Sequence, residues 1–263
     1  MKDNGKGLDL KSTVDRRSEI VRIINESGKV KVEELRELFS VSAVTIRNDL
    51  NCLEGKGLIH RVYGGALVRD FVAYDTTLIE KAKMHVEEKR RIGAKAAEMV
   101  FDGDSIILDS GTTTIEVARN IKDRKDLTVI TNAVNIATEL AGYPDIVVML
   151  TGGRMRKRSF SLVGPQAEIA LREFYFDKLF LAVDGYDLEV GLTTPNQLEA
   201  RLNSVMVAVA KETIMVTDSS KFGRKSLCRI CGPDTIKKII TDAGIDKEYY
   251  DRLTELGIEV ILV

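Results

Sequence analysis

The stretch Ile106-Ile107-Leu108-Asp109-Ser110-Gly111-Thr112-Thr113-Thr114-Ile115-Glu116-Val117-Ala118 constrains the chain more than any other. A short apolar run closing on a carboxylate reads as a strand buried on both faces, its last residue emerging at the C-terminal edge. A Ser-Gly-Thr-Thr-Thr turn follows, and Ile115 and Ala118 then fall at helical spacing. Strand, glycine turn and helix start predict a parallel α/β layer with an anion site at its edge. First-turn N–H groups point at the ligand, the hydroxyls add donors, and Gly111 permits close backbone approach and positive φ. The expected ligand is a phosphate or phosphosugar. The plainer alternative is an N-cap, Ser110 or Thr112, on an ordinary crossover helix.

The same pattern recurs downstream. Strands are predicted over Leu127–Thr131, Ile146–Leu150, Lys178–Val183, Thr213–Thr217, Lys238–Thr241 and Ile258–Val263. Helices are predicted between them at 133–141, after Gly164-Pro165, at 196–210 and at 247–256. Such alternation implies a mostly parallel, doubly covered sheet with ligands outside the strands' carboxyl ends. Several strands end in polar or glycine-rich residues: Asp109-Ser110-Gly111-Thr112, Thr131-Asn132, Thr151-Gly152-Gly153, Asp184-Gly185 and Asp218-Ser219-Ser220-Lys221. Lys221 and Arg201 suit neutralisation of a phosphate, while Asp109, Asp184, Asn132 and Glu199 suit sugar hydroxyls or an amine. Each of these could serve alone as a turn former or cap; their recurrence at five strand ends is what favours a small-molecule site.

The N-terminal quarter reads differently. Ile20, Ile23 and Ile24 mark a helix from Asp15 to Gly28, and Val32–Phe39 is a second short helix. Ser40-Val41-Ser42 turns the chain, with Ser42 a candidate N-cap, into a third helix from Ala43 to about Lys56. Ile46, Leu50 and Leu53 form its inner face, and Val44, Thr45, Asn48 and Asn51 the opposite arc, flanked by Arg47. Residues 58–68 read as two strands around Gly64-Gly65. Three short helices and a hairpin make a winged helix-turn-helix whose third helix enters the DNA major groove. Arg47, Asn48 and Thr45 suit base or phosphate contacts, and Arg61 in the wing suits a phosphate or the minor groove. The competing reading is a dimerisation or peptide-binding module with a solvated polar face, which would retard no DNA at any salt.

The expected domains are therefore an arm over 1–14, the winged helix-turn-helix over 15–70, a linker over 71–86 and the ligand-binding domain over 87–263. Net charge is −1, and residues 1–70 hold 13 Lys and Arg against 11 Asp and Glu, so no basic field announces nucleic acid. The polar first ten residues contain no secretory core, and no apolar run reaches membrane-spanning length. Three cysteines exclude a disulfide framework and suit a reducing cytoplasm.

Catalysis is not expected. The two histidines, His60 and His85, fall in the wing and the linker, away from the strand ends, leaving no imidazole for acid–base work there. No zinc-ligand cluster, catalytic triad or phosphate-binding Walker loop is present, so neither cofactor nor metal is expected. Cys228-Arg-Ile-Cys231 lacks a second pair to complete four ligands and reads as free thiols on a strand. The basic run Arg154–Arg158 reads mainly as a solvated loop.

Both halves resemble the DeoR family of bacterial transcriptional regulators, from about Arg16 to the end. The matching motifs are Val41-Ser-Ala-Val-Thr-Ile-Arg-Asn-Asp-Leu50 and Arg61-Val-Tyr-Gly-Gly-Ala66 in the first half. In the second they are Leu108-Asp-Ser-Gly-Thr-Thr-Thr114, Thr131-Asn132, Thr151-Gly-Gly153 and Asp218-Ser-Ser-Lys-Phe222. The resemblance implies a C-terminal domain of the Rossmann-like sugar-phosphate isomerase and deaminase type that senses a phosphorylated sugar. It implies a repressor of a sugar-catabolic operon that leaves its operator on binding that sugar and works as a homo-oligomer, dimer or tetramer. Carried onto this chain, the DNA-contacting set is Ser42, Thr45, Arg47, Asn48, Asn51, Arg61 and Tyr63. The effector set is Asp109, Ser110, Gly111, Thr112, Thr113, Thr114, Thr131, Asn132, Gly152, Gly153, Asp184, Glu199, Arg201 and Lys221. Asn48 stands where many members carry a second arginine, which alters the bases read. That feature, the Tyr-Gly-Gly wing and Glu199-Ala-Arg-Leu-Asn203 look most like the AgaR branch, regulators of N-acetylgalactosamine and galactosamine use, implying an amino-sugar phosphate. The alternative is a sugar-phosphate isomerase or amino-sugar-phosphate deaminase with an accessory N-terminal domain.

Overall fold

A computed structural model describes residues 13–27, 29–62, 64–68 and 75–263. Contacts divide the chain into two units, Met1–Phe71 and Val72–Val263.

The first unit contains α1 (Thr13–Ser27), β1 (Lys29–Lys31), α2 (Val32–Phe39), α3 (Ala43–Gly55), β2 (Ile59–Val62) and β3 (Gly65–Val68). Ile20 and Ile24 of α1, Leu35 and Phe39 of α2, Ile46, Leu50 and Leu53 of α3, and Ile59 and Ala66 of the hairpin form one core. These apolar positions recur every three or four residues, so each helix has one face to bury and they close on one another. Helix α1 opens at Thr13, two residues before the expected start, and Gly28 lies outside the described residues. A strand absent from the sequence reading, β1, pairs antiparallel with β3, and β3 with β2, giving a three-stranded wing sheet.

The second unit begins with α4 (Leu78–Lys81) and α5 (Val86–Ala97). Then come β4 (Ser105–Leu108), α6 (Thr114–Arg119), β5 (Leu127–Thr131), α7 (Val134–Leu140), β6 (Ile146–Leu150), β7 (Arg154–Met155), β8 (Leu162–Val163) and α8 (Pro165–Arg172). The chain continues through β9 (Phe176–Leu181), β10 (Gly185–Asp187), β11 (Gly191–Thr194), α9 (Gln197–Val209) and β12 (Ala210–Val216). It ends with β13 (Cys228–Cys231), β14 (Lys238–Thr241), α10 (Lys247–Glu255) and β15 (Glu259–Leu262). Seven strands form a wholly parallel sheet in the order β15-β14-β12-β9-β4-β5-β6. Alternate residues of each strand feed two cores. Ile106, Leu108, Phe180 and Val216 pack with α5, α6 and α7, whereas Ile107, Leu179, Leu181 and Met215 pack with α8, α9 and α10.

The strand order locates the site. From β4 the chain moves outward to β5 and β6, then returns to lay β9 on the other side of β4 and continues to β12, β14 and β15. The reversal opens a crevice above the carboxyl ends of β4 and β9, where open α/β sheets bind their ligands. The segment 184–194, expected as a loop, is a hairpin of β10 and β11 extended by β13 into a small antiparallel sheet.

Candidate functional site

Two surfaces carry chemistry, one in each unit. In the first, Ser42 caps α3: its Oγ accepts from the Thr45 backbone N–H at 3.1 Å and shares a 2.9 Å hydrogen bond with the Thr45 hydroxyl. Arg47, Asn48 and Asn51 are exposed on the arc opposite Ile46, Leu50 and Leu53, together with Val44, which is 61% exposed. Arg61 of β2 donates from its guanidinium to the Asn51 side chain, so two residues expected to act separately are held as a pair. Its backbone N–H donates to Glu54 at 2.9 Å. Tyr63 lies outside the described residues.

Asp49 belongs to the same helix but faces inward. It is buried, and its two oxygens accept from Arg16 Nε at 2.6 Å and Arg17 Nε at 2.8 Å. A buried carboxylate needs partners of this kind, and here the pairing ties α1 to α3.

In the second unit the switch-point crevice is a pocket. From the β4 turn come Asp109, Ser110, Gly111, Thr112 and Thr113; from the end of β9 come Ala182, Val183 and Asp184. Glu199 and Asn203 of α9 line it too, as do Asp218 and Lys221 beyond β12. The wall is made by Leu78, Lys81, Met84, His85 and Lys89, with Thr194, Val216 and Thr217 completing the lining. Gly111 is required for space rather than for positive φ: a Cβ there would lie 2.8 Å from the Ala182 Cβ and 3.0 Å from the Thr114 hydroxyl.

The pocket holds charges of both signs. Lys81 is paired with Asp184, whose other oxygen accepts from the Thr194 hydroxyl at 3.1 Å. Burial pushes Asp184 upward, but Lys81 and Lys221 outweigh it and hold the carboxyl below its ordinary range. Lys221 is pulled down by burial against the opposing pull of Asp218 and Asp184. Lys89 donates to the carbonyls of Lys81 and Met84, each at 2.6 Å, and burial lowers its ammonium to about 8. Burial and then the negative charge of Glu199 push Asp109 up to about 8. Glu199 is itself held by Arg156 Nη1 at 2.6 Å and by the Ser161 hydroxyl at 2.8 Å. Three lysines and a histidine in the lining favour an anion, and its carboxyl and amide groups favour hydroxyls or an amine.

The expected effector residues divide accordingly. Asp109, Ser110, Gly111, Thr112, Thr113, Asp184, Glu199 and Lys221 converge on the pocket. Thr114, Thr131 and Asn132 are buried behind it. Thr114 donates to Gly111 O at 3.2 Å, Thr131 to Leu108 O at 2.6 Å, and the Asn132 amide reaches Ser110 Oγ at 3.4 Å, bracing the loop. Gly152 and Gly153 turn the chain with φ of 70° and 98° after the edge strand β6, two strands from β4, and do not line the pocket. Arg201 sits on the outer face of α9 beside Glu168 at 3.4 Å, with its side chain 61% exposed. The caps differ as well: α6 starts at Thr114, so neither Ser110 nor Thr112 caps it, and with six residues it is too short for a strong dipole.

The placement of His85 is also corrected. His85 does not lie away from the strand ends; it lines the pocket at the start of α5, as do Lys81 and Lys89. The linker reading concealed Lys81 and His85, although the capping-box sequence Thr77-Leu-Ile-Glu80, which does form and starts α4, was a local signal for a helix there; Lys89 falls in the ligand-binding domain expected from 87 on. Asn203 was detectable as the residue one turn after Glu199. Among the described residues no group of three His, Cys, Asp or Glu is placed to hold a metal, and no helix is long and apolar enough to cross a membrane.

A winged helix-turn-helix and a doubly wound α/β unit with a polar switch-point pocket together define a two-part regulator that reads DNA with one unit and a small molecule with the other. Residues 16–71 match the DeoR-like helix-turn-helix domain and residues 84–243 the DeoR C-terminal sensor domain. The chain belongs to the DeoR family of transcriptional regulators. It is 43% identical, over 95% of its length and 94% of the relative's, to an Escherichia coli O157:H7 protein whose name assigns it to transcriptional repression of the aga operon. It is 38% identical to the HTH-type transcriptional regulator GlpR of Haloferax volcanii, over 94% of this chain and 96% of that one. The glycerol-3-phosphate regulon repressor of Escherichia coli K12 is 31% identical over 94% and 98% of the two chains.

Proposed function

We propose that this chain represses a sugar-catabolic operon by binding its operator through α3 and the wing, and that a phosphorylated sugar in the switch-point pocket releases it. The observation that carries the reading is a pocket lined by Lys81, Lys89, Lys221 and His85 together with Asp109, Glu199 and Asn203. A phosphate meets the cationic groups, and the carbon chain presents hydroxyls or an amine to the carboxyl and amide groups. The relatives' names, one for the aga operon and one for glycerol 3-phosphate, agree with a phosphorylated carbohydrate as ligand. An amino-sugar phosphate suits these carboxyl groups best. Repression from paired half-sites calls for a homo-oligomer, a dimer or tetramer, acting in the cytoplasm.

The pocket wall supports a route for release. Residues 75–85 are the described part of this unit nearest in sequence to the helix-turn-helix. They are fastened to the rest of the α/β unit by Asp75 pairing with Arg156, by Leu78 N–H donating to Arg158 O at 2.7 Å, and by the Lys81–Asp184 pair. A ligand that takes Lys81 for its phosphate competes with Asp184 and so acts on that segment.

Gel retardation with operator DNA at fixed ionic strength tests the reading, with galactosamine 6-phosphate, N-acetylgalactosamine 6-phosphate and their unphosphorylated forms as ligands. Release by a phosphorylated sugar alone is expected; retention with every phosphosugar, or release by the free sugars, overturns it. A second reading, an isomerase or deaminase, draws on His85 and Asp109 lining the same pocket. We expect no turnover of these phosphates or of ketose phosphates at saturating concentration, and measurable turnover would favour the enzyme.

A further inference from the structure

Among the described residues that line the pocket, Asn203 carries a buried side-chain oxygen without a partner. It is 4% exposed, it lines the pocket from α9, and its Nδ2 donates to Asp109 Oδ2 at 3.3 Å, while its buried Oδ1 has no hydrogen-bond partner among the described residues. Buried amide oxygens are nearly always satisfied, so an orphaned one in a ligand pocket marks a bond that the ligand completes. Of the neighbouring groups, Asp109 also carries a proton near neutrality, its carboxyl being raised to about 8, so a ligand donor competes with that carboxyl for Oδ1. Glu199, one turn earlier on α9, is occupied by Arg156 and Ser161, and Asp109 accepts from Asn203 and, at 3.5 Å, from Ser110.

Resting on the phosphosugar reading above, we propose that Asn203 is the specificity-determining residue of the pocket, its side-chain oxygen accepting a hydrogen bond from one hydroxyl or amino group on the ligand's carbon chain. The donor it reads lies beside Asp109, which Asn203 touches and on which burial and then Glu199 act, whereas Lys89 and Lys221 act on each other and on Asp218. A site built to bond a donor rejects the analogue lacking it far more strongly than an apolar pocket rejects a missing methylene, because the acceptor is then left buried and unpaired.

The test is isothermal titration of the full chain with galactosamine 6-phosphate, with analogues lacking its hydroxyls and its amino group one at a time, and with inorganic phosphate. In the unmodified protein, loss of one particular group should weaken binding at least tenfold, and loss of the others much less. In Asn203→Leu that preference should vanish, with the affinity for inorganic phosphate within twofold of the original. A side chain that merely supported Asp109 would weaken all analogues equally and keep the preference, which overturns the proposal. So does a graded series in the unmodified protein with no single dominant group, a result that needs no variant to fold. If inorganic phosphate binds but no phosphosugar binds more tightly, the effector reading fails, and this inference with it. Tight phosphosugar binding without selection sinks the inference alone.

Discussion

The ammonium of Lys81 is bonded to the carboxylate of Asp184, 103 residues further along the chain, across the mouth of the pocket. With side-chain exposures of 25% and 16%, the pair is largely withdrawn from water, so removing one member strands the other. Lys81→Met is expected to destabilise the α/β unit by about 3 kcal/mol, a fall in melting temperature of roughly 6–12 °C for a unit of this size. Asp184 is held below its ordinary range, so its contribution is present above the usual carboxylate titration and lost as pH falls through the lowered folded value. In Lys81→Met that acid-side loss should disappear, so the gap between parent and variant should narrow as pH falls. The double variant Lys81→Met/Asp184→Leu should recover most of the loss. An unchanged melting temperature in Lys81→Met would remove the pair from any account of the pocket wall.

Asp109 predicts the opposite limb. Burial and then Glu199 raise its carboxyl to about 8, whereas in the unfolded chain it titrates near an ordinary ~4. The folded state thus holds the proton more tightly. Its stabilising effect is full below about pH 4 and is lost as pH rises through about 8. Asp109→Asn keeps the group neutral at every pH. Melting curves of the variant and the parent should nearly coincide at pH 5 and diverge by pH 9, with the variant more stable by about 1–3 kcal/mol at the alkaline end. A gap that stays constant across that range would show that Asp109 ionises normally.

How much of this was legible in the sequence depends on how far apart the determinants lie. Buried parallel strands write themselves as apolar runs, so β4 and β5 and the residues at their ends were readable locally. Which strand ends meet was not, because that follows from the order β12-β9-β4-β5-β6. Asp218, Asp184 and Asp109 emerge from three adjacent strands, whereas Gly152-Gly153 leaves an edge strand two places from β4, roughly 10 Å away at the spacing of strands in a sheet. Arg201 failed for a local reason. Glu199 and Asn203, four residues apart, share one face of α9, and the residue midway between them must point away. Lys81 and His85 were hidden because α4 has four residues and no apolar stripe, and the pairing of Lys81 with the distant Asp184 fixes that segment to the pocket.

Asp49 offers a test of the first unit that touches no DNA-facing side chain. It is buried between Arg16 and Arg17, and Arg17 also donates to Cys52 Sγ at 3.0 Å. Asp49→Ala leaves two guanidinium groups without their acceptor and should destabilise the helix-turn-helix by about 3 kcal/mol. Operator affinity should fall steeply with temperature and partly recover on cooling, because the loss is one of folding. An affinity loss of equal size at every temperature would mean that Asp49 acts on DNA directly.

Arg47 and Arg61 differ in what they predict, because one is exposed on the recognition helix and the other is tied to Asn51. If Arg47 reads a base edge, Arg47→Ala should weaken binding to an operator selected from random sequence by about 10–100-fold and relax the preference at one base pair. If it only meets a phosphate, the loss should be similar for all sequences, and the slope of log affinity against log salt should fall by about one. The first outcome is expected, since Arg47 shares its exposed arc with Asn48. Arg61→Ala is expected to give the second pattern, with an added loss at whatever base Asn51 faces once its partner is gone. Neither variant should alter phosphosugar affinity of the α/β unit. A selected operator bound equally well by Arg47→Ala would move the recognition surface off the exposed arc of α3.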